Sequence, residues 1–406
     1  MEAMLEKIDL KNLDKSTWQT FRFEEIAQKI SETVKPDEAD VNIYVGLEHL
    51  DAENIHIRTK GVPADVKGGK LRCYPGDVIF GKRRAYQRKA AIVDFNGICS
   101  AHAFVFRANS EVIDPKLFPF FLHSDQFMHR MVDISVGGLS PTINWGDLKH
   151  QEFLLPPKDQ QAKLAELLWA MDDVIERDNS VLKNLETTLN SNIENEIHGI
   201  SIKGKVIREI LEEYSKKGEL VSLINLGQLL KGKGIPKADV KNKGLSCVRY
   251  GELYTKHHRI IREFNSFISQ KDKAKSFLLK KNDILFAGSG ETITEIGKSA
   301  AFVNEIEAYA GSDTLIFRPY DMDGYYLGYL MNSQLVRQQL NKYGTGATVM
   351  HIYNSDLAKV KVPKIDKEKQ IEIANKLESI SQNMFGLESK ISSSKALQKS
   401  LISQVF

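Results

Sequence analysis

The sequence predicts an α+β protein in which two mixed α/β domains are separated by an antiparallel two-helix coiled coil. Three observations lead to this fold class. The chain has 406 residues, which exceeds the size at which a single hydrophobic core keeps growing. Two long stretches carry apolar residues at heptad spacing. The same order of motifs occurs in both halves of the chain, which indicates an internal duplication with pseudo-twofold symmetry.

The first long helix is predicted to follow Pro156-Pro157 and to end near Gly199. Its apolar positions have the spacing of a narrow coiled-coil seam, which requires a partner helix. The seam residues are Leu164, Leu168, Met171, Ile175, Leu182, Leu185 and Leu189. The C-terminal stretch after Pro363 supplies a matching seam: Ile373, Leu377, Ile380, Met384, Leu387, Ile391, Leu401 and Val405.

Matching motifs in the two halves are separated by offsets of 206 to 210 residues. Residues 76–80 return as 282–286, and residues 161–168 return as 370–377. This period is far longer than the roughly 20 to 50 residues of a stacked repeat array. The predicted boundaries are 1–157 for the first globular domain, 158–200 for the first long helix, 201–362 for a connector with the second globular domain, and 363–406 for the second long helix.

The first globular domain is predicted to mix strands and helices. We expect an amphipathic element over residues 18–30, one helix over 115–131 and a glycine-containing loop at 137–141. The expected strands lie near 41–47, 76–80, 90–95 and 103–106. Aromatic residues of the domain helices are expected in the cores: Phe118, Phe120, Phe121, Tyr325, Tyr326 and Tyr329.

The composition is that of an ordinary globular protein, with 42% hydrophobic and 27% charged residues. No stretch has the apolar length of a membrane span, and residues 1–15 lack the apolar run of a signal peptide. We therefore expect a cytoplasmic protein without a membrane partner. A net charge of +3 does not by itself indicate a nucleic-acid partner, so local clusters must carry that argument.

The sequence motifs that would indicate an enzyme or a metal site are each incomplete. The sequence Gly297-Lys298-Ser299 is similar to the end of a phosphate-binding loop, but Thr292 stands where the earlier glycine is required. An amino-methyltransferase needs Asn or Asp before Pro-Pro and an aromatic residue after it, whereas Pro156-Pro157 precedes a lysine. His257-His258 and the three dispersed cysteines lack metal-ligand spacing. No catalytic or metal-binding residue is predicted.

A globular block, a Leu-Pro-Pro sequence, a glutamine and a long helix, all occurring twice, together resemble the specificity subunit of type I restriction-modification systems. The second copy departs from this pattern, because Pro-Lys-Ile replaces Pro-Pro and Ser394 and Gln398 interrupt its seam. The resemblance implies a non-catalytic subunit with two target recognition domains, each of which recognises one half of an interrupted DNA sequence. It also implies that the helices set the spacing of the half-sites and dock methyltransferase subunits.

The partners implied by this resemblance are double-stranded DNA, two methyltransferase subunits and restriction subunits that act as translocase and nuclease. S-adenosylmethionine, ATP and magnesium are implied for those partner subunits, and no cofactor is expected on this chain. The outer faces of the helices, including Lys163 and Trp169, are candidates for binding the partners.

The loop at residues 81–89 is the leading candidate for DNA contact, because it places five cations, an aromatic residue and an amide between two predicted strands. Cations hold phosphates, and Arg and Gln can form paired hydrogen bonds with base edges. The candidates are Lys82, Arg83, Arg84, Tyr86, Gln87, Arg88 and Lys89, together with Gly138 and Ser140 of the glycine-containing loop. A solvated charged hairpin and a plain turn are the alternatives.

The second half offers different chemistry at the equivalent positions. Lys231, Lys233 and Lys237 are candidates for phosphate contact. Hydroxyl and carboxylate groups that can contact bases or phosphates occur at Ser289, Glu291, Thr292, Thr294 and Thr345. Such divergence is expected of two domains that recognise different half-sites, and equally of an unconstrained surface loop.

Two rival functions come from other classes: a nuclease with a divergent active site, and a scaffold whose paired helices join two proteins. A nuclease would cleave short duplexes in the presence of magnesium. A scaffold would show no salt-dependent DNA binding even with its partners present.

Overall fold

The fold is taken from a computed structural model that describes residues 15–198, 207–216, 218–290, 296–344 and 350–406. The chain forms two compact units. The first unit is Met1–Ser180 with Ser389–Phe406, and the second unit is Val181–Glu388. Two long helices each contribute one part to each unit.

In the part of the first unit that the structure describes, there are ten short strands: β1 (Gln19–Arg22), β2 (Ala27–Ile30), β3 (Thr33–Val34), β4 (Tyr44–Val45), β5 (Lys70–Cys73), β6 (Val78–Gly81), β7 (Ala90–Ile92), β8 (Gly97–Cys99), β9 (Ala103–Ala108) and β10 (Glu152–Leu155). Its helices are α1 (Phe23–Ile26), α2 (Phe118–Leu122), α3 (Asp125–Asp133), α4 (Trp145–Leu148) and the beginning of α5 (Lys158–His198).

Two four-stranded sheets, in the orders β2-β9-β6-β7 and β3-β5-β8-β4, form the body of the first unit, and β1 pairs with β10. The central strand β6 is buried along its whole length, as expected for a strand covered on both faces. Phenylalanine rings fill the space between the first sheet and the helices, and Phe23, Phe106 and Phe127 lie fully buried among them.

The second unit contains α6 (Ile207–Lys216), α7 (Glu252–Thr255), α8 (Gly324–Leu330), α9 (Gln334–Tyr343), α10 (Asn354–Leu357) and the beginning of α11 (Lys367–Val405). Its strands are β11 (Leu220–Ser222), β12 (Gly227–Lys231), β13 (Leu245–Val248), β14 (Arg259–Ile260), β15 (Ser266–Ile268), β16 (Phe277–Leu278), β17 (Asp283–Ala287), β18 (Ser289–Gly290), β19 (Ser299–Phe302), β20 (Ala308–Ala310), β21 (Thr314–Pro319), β22 (Met350–His351) and β23 (Lys361–Pro363).

The sheets of the second unit have the orders β12-β21-β17-β19-β14 and β15-β13-β20-β16, with the two-stranded pairs β11-β23 and β18-β22. The first sheet repeats the arrangement β2-β9-β6-β7 and adds a fifth strand. A buried carboxylate is held in the same way in both units. Arg107 donates from Nε to Asp77 over 2.8 Å, and Arg318 donates from Nε to Asp283 over 2.8 Å. The internal duplication is therefore confirmed.

Within each unit the two long helices run antiparallel. In the first unit, Leu164 and Leu168 near the start of α5 pack with Leu401 and Val405 near the end of α11. In the second unit, residues near the end of α5 pack with residues near the start of α11. These residues are Leu189, Ile193, Ile197, Ile373, Ala374 and Leu377. The predicted coiled-coil pairing is confirmed in both units.

The structure corrects two predicted elements. Residues 18–30 form β1, α1 and β2 instead of one amphipathic element, because β1 and β2 pair with the distant strands β10 and β9. The single helix predicted over 115–131 is two helices, α2 and α3. Ser124 separates them with extended backbone and caps α3, since its Oγ accepts from Phe127 N over 3.2 Å.

The predicted core aromatics are buried, with Phe118, Phe121, Tyr326 and Tyr329 all 0% exposed and Phe120 1% exposed, whereas Tyr325 is half-buried. Among the described residues, the helices all fall short of the length and apolar character that a bilayer span requires. Within the same residues, the acidic, histidine and cysteine side chains form no group of three or more suited to a metal ion.

Candidate nucleic-acid interface

The cationic loop, residues 82–89, connects the buried strand β6 to β7 in the first unit. A 3-10 turn, Ala85–Gln87, occupies its middle and packs against α3. Arg84 and Arg88 flank the turn with left-handed backbone, at φ values of 54° and 52°. Such conformations are costly for residues with side chains and persist only where the surroundings enforce them. The loop is therefore a fixed feature of the unit.

The first part of the loop presents its cations to solvent. Arg83, Arg84 and Tyr86 are exposed, and Tyr86 is 57% exposed. Lys82 is half-buried, with its Nζ 5.2 Å from the ring centre of Phe104. Burial lowers the pKa of Lys82, and repulsion from Lys29 and Arg83 lowers it further. Cations held this close to one another favour a bound anion, which relieves their repulsion.

Further basic residues extend this cluster. Lys29 on β2 lies 5.7 Å from the ring centre of Trp145, and Lys29 and Lys82 both contact Phe104. The pKa of His102 is lowered by burial and by Arg83 and Lys82, which places His102 in the same cationic surroundings. Lys29 and His102 were not among the predicted residues, because the sheet register brings them to the loop from distant parts of the chain.

The last part of the loop anchors it to the domain. Arg88 Nη2 lies 2.9 Å from Asp125 Oδ1, and Arg88 Nε lies 3.0 Å from Glu53 Oε1. Arg88 Nη2 also donates to the carbonyl of His123 over 2.8 Å. Lys89 Nζ donates to the carbonyl of Leu47 over 2.7 Å. These ion pairs and hydrogen bonds engage both cations within the protein and hold the end of the loop in place, and a contact of Arg88 or Lys89 with DNA stays a prediction. Gln87 is half-buried.

The glycine-containing loop, residues 137–141, lies beside the cationic loop. Arg84 N donates to Pro141 O over 2.8 Å, and Ile143 N donates to Lys82 O over 2.9 Å. Val136 and Thr142 close the base of the loop with a pair of backbone hydrogen bonds of 3.0 and 2.9 Å. Gly138 and Ser140 are exposed. Two segments about 55 residues apart in sequence thus form one surface with Arg83 and Arg84.

The second unit has the same backbone arrangement with different side chains. Ile352 N donates to Gly288 O over 3.1 Å, as Ile143 N does to Lys82 O. At the positions of Arg83 and Thr142 stand Ser289 and His351, whose Oγ and Nδ1 lie 3.0 Å apart. Tyr353 is 57% exposed and stacks on His351. His351 and Tyr353 escaped prediction because nothing in a single sequence marks a lone histidine or tyrosine as a surface contact.

Lys231, Lys233 and Lys237 are exposed in the second unit. Strand pairing aligns Lys231 with Leu315 and Ala287 with Thr314. Lys231 and Ser289, which follows Ala287 by two residues, therefore lie at the same end of the five-stranded sheet. Lys237 lies in a separate 3-10 turn, Lys237–Asp239. The predicted candidates Glu291, Thr292, Thr294 and Thr345 fall outside the described residues.

Each domain is fixed to the start of its long helix by a buried glutamine. Gln161 Oε1 accepts from Asp114 N over 2.6 Å, and its Nε2 donates to Pro156 O over 2.8 Å. Gln370 makes the same pair of bonds, with Asp323 N over 3.0 Å and with Ile365 O over 3.0 Å. The glutamine after each Leu-Pro-Pro or equivalent sequence therefore sets the angle between its domain and helix.

Arginine–glutamate pairs add a second attachment in each unit. Arg58 binds Glu176 of α5 through both guanidinium nitrogens, at 2.9 and 2.6 Å. Arg262 binds Glu378 of α11 in the same way, at 2.6 and 3.1 Å. Trp169, a predicted outward contact for partners, is half-buried against its own domain and donates from Nε1 to Lys116 O over 2.8 Å. Lys163 is exposed.

Comparison with known proteins gives concordant matches. The family model described as type I restriction modification DNA specificity domain matches residues 15–195 and 215–394. The chain is 27% identical over 169 residues to the type I restriction enzyme EcoDI specificity subunit of Escherichia coli, covering 40% of this chain and 37% of that protein. It is 25% identical over 236 residues to the MjaVIII specificity subunit of Methanocaldococcus jannaschii, covering 56% and 54%.

The fold is also found in a solved structure. The crystal structure of the type I restriction-modification S subunit from M. genitalium superposes with a TM-score of 0.59 at 12% identity, over 97% of this chain and 98% of that one. The aligned regions cover about a third and about half of the lengths of the two curated relatives. Because the family model matches most of the chain and does so once in each half, this protein belongs to the type I restriction modification DNA specificity domain family.

Proposed function

We propose that this chain is the DNA sequence-recognition subunit of a type I restriction-modification complex. Residues 1–157 and 201–362 would form its two target recognition domains, each of which binds one half of an interrupted target. The long helices, residues 158–200 and 363–406, would set the distance between the half-sites and dock the methyltransferase subunits.

The observation that carries this proposal is the surface built from the cationic loop and the glycine-containing loop. The half-buried Lys82 and the exposed Arg83 and Arg84 lie on a backbone scaffold that recurs in the second unit with Ser289 and His351. A conserved scaffold with exchanged side chains is what two domains need in order to recognise different bases in the same docking geometry.

The chemistry of the complex would come from partner subunits. We propose that methyltransferase subunits supply the S-adenosylmethionine site, and that restriction subunits supply the ATP and magnesium sites for translocation and cleavage. This chain would then catalyse no step and would contribute binding energy and orientation alone. Two methyltransferase subunits fit a recognition chain that carries two copies of the same domain and helix.

The test is DNA binding by the full chain with its methyltransferase subunits at a series of salt concentrations. Replacing Lys82, Arg83 and Arg84 by Gln is expected to lower the slope of log affinity against log salt by roughly 0.9 for each lost phosphate contact. A charge-matched control replaces three exposed lysines outside the loop, Lys35, Lys116 and Lys271, by Gln. Equal slopes for the two triple variants would contradict the proposed site, and cleavage of DNA by the purified chain would favour the nuclease alternative.

A further inference from the structure

Leu139 is the most exposed large apolar residue of the described chain, at 97% of its surface. It stands at the middle of the five-residue glycine-containing loop, whose base is closed by the two hydrogen bonds between Val136 and Thr142. Removing an exposed leucine side chain from water is energetically favourable, so Leu139 would be stabilised by a partner that buries it. A loop held at its base that presents a leucine at its tip is therefore suited to insertion into a partner.

The tip is narrow as well as apolar. Gly138 and Ser140 flank Leu139, and apart from the two adjacent residues no heavy atom lies within 4 Å of the position that a Cβ on Gly138 would occupy. Gly137 has a φ of 118°, a conformation that glycine adopts without strain and that turns the chain sharply at the start of the loop. The space on the Gly138 side of Leu139 is therefore open to an approaching partner.

Cations flank this tip. Thr142, at the base of the loop, forms a backbone bridge with Arg83, and Arg84 N bonds to Pro141 O. The leucine and the two exposed guanidinium groups thus rise from one small antiparallel ladder. This combination of an apolar tip with cations at its sides matches a DNA duplex, in which the apolar base stack lies between two lines of phosphates.

We infer that Leu139 is a wedge that inserts between two adjacent base pairs of the half-site bound by the first unit, while Arg83 and Arg84 hold the neighbouring phosphates. The inference rests on the proposed DNA-recognition function and adds a deformation step to it. Proteins that kink DNA insert leucine and similar side chains between base steps in this way.

The wedge has a consequence for sequence preference. Unstacking is easiest at pyrimidine–purine steps, which are the most deformable steps of DNA. The first half-site is therefore expected to contain such a step opposite Leu139, even where no side chain of the protein forms a hydrogen bond with its bases. A contact with a thymine methyl group would instead leave the stack intact.

The test uses the full chain with its methyltransferase subunits and a duplex that the wild-type complex selects from a random pool. The fluorescent adenine analogue 2-aminopurine, which brightens when it is unstacked, replaces each adenine of either strand of the duplex in turn. A base that the methyltransferase subunits extrude also brightens, so the wedge is expected to add brightening at one further step of the first half-site. Leu139→Ser is expected to abolish that signal and weaken binding by about tenfold, with an unchanged salt slope.

Two controls accompany this variant. Leu139→Met keeps a long apolar side chain and is expected to retain the signal, and Val62→Ala, a change at another exposed apolar residue of the same unit, is expected to leave the signal unaltered. Tight binding without brightening at such a further step overturns the wedge, as does a signal at that step that persists in Leu139→Ser. If affinity is lost only when thymine is replaced by uracil, the wedge is also overturned, because that result indicates a contact between Leu139 and a thymine methyl group. Failure of the wild-type complex to bind any duplex removes the proposed function together with the wedge.

Discussion

Arg88 and Arg84 are separated by one turn in the cationic loop, yet their side chains have opposite surroundings. Arg84 is exposed, whereas the side chain of Arg88 is only 16% exposed, forms ion pairs with Glu53 and Asp125, and donates to the carbonyl of His123. Replacing each by Ala therefore separates the proposed DNA contact of Arg84 from the anchoring contacts of Arg88. The two variants are matched in chemistry, because both remove one arginine from a left-handed position of the same loop.

The magnitude follows from the burial of the ion pairs. Removing one partner of a fully buried ion pair costs about 3 to 5 kcal/mol, and an exposed pair contributes less than about 1 kcal/mol. Arg88 is largely buried, but Glu53 and Asp125 are 45% and 41% exposed. We therefore expect Arg88→Ala to cost about 2 kcal/mol. For a unit of about 200 residues, that corresponds to a melting temperature lower by about 4 to 8 °C.

Calorimetry of the full chain and DNA titrations at several salt concentrations measure the two effects. Arg88→Ala is expected to lower the melting temperature and leave the salt slope unchanged. Arg84→Ala is expected to leave the melting temperature unchanged and to lower the slope by roughly 0.9. An Arg88→Ala protein with wild-type stability and a reduced slope would refute the anchoring role and restore Arg88 as a phosphate contact.

Three further predictions concern the attachment, the acid response and the spacing. Gln161→Leu leaves Asp114 N and Pro156 O without their buried partner, so urea unfolding should show a loss of about 2 to 4 kcal/mol; an unchanged midpoint would contradict the role of this glutamine. Burial lowers the pKa of His123 from 6.5 to about 4, so the unfolded state binds a proton before the folded state does as pH falls. The free energy of unfolding should therefore decrease by about 3 kcal/mol between pH 6.5 and pH 4. This pH-dependent decrease should be absent in His123→Gln. Inserting four residues into both α5 and α11 lengthens each helix by roughly 6 Å; the methylated target should gain spacer while both half-sites persist, and modification at the original spacing alone would oppose the spacer role.

The long helices and the duplication were predictable because their signals are local or repeated. Heptad spacing marks a seam directly, and the structure begins α5 at Lys158, two residues after Pro156. The segment 18–30 shows the limit of this reasoning. Its apolar residues fit both helical and strand periods, and the choice is made by pairing of Gln19–Arg22 with Glu152–Leu155 across the whole domain. Such non-local pairing leaves no trace in the segment itself.

The sequence is sufficient to propose the cationic loop as a candidate site, but not to distinguish the contacts of its individual arginines. Charge density pointed to the loop that contains Arg83, Arg84 and Arg88. In sequence these arginines are equivalent, and only the positions of Glu53 and Asp125 separate Arg88 from the others. Lys29, His351 and Tyr353 reach the interfaces through sheet register and loop packing, which act between residues far apart in the chain.

The most direct test of the central claim is to map the methylated bases in DNA from cells that express this chain with its methyltransferase subunits. The account predicts a single motif in two parts, separated by a spacer of unspecified bases. Exchanging residues 207–362 for those of a relative with a different target should alter one part of the motif and leave the other part intact. A contiguous motif, or a change in both parts after this exchange, would contradict the assignment of one half-site to each recognition domain.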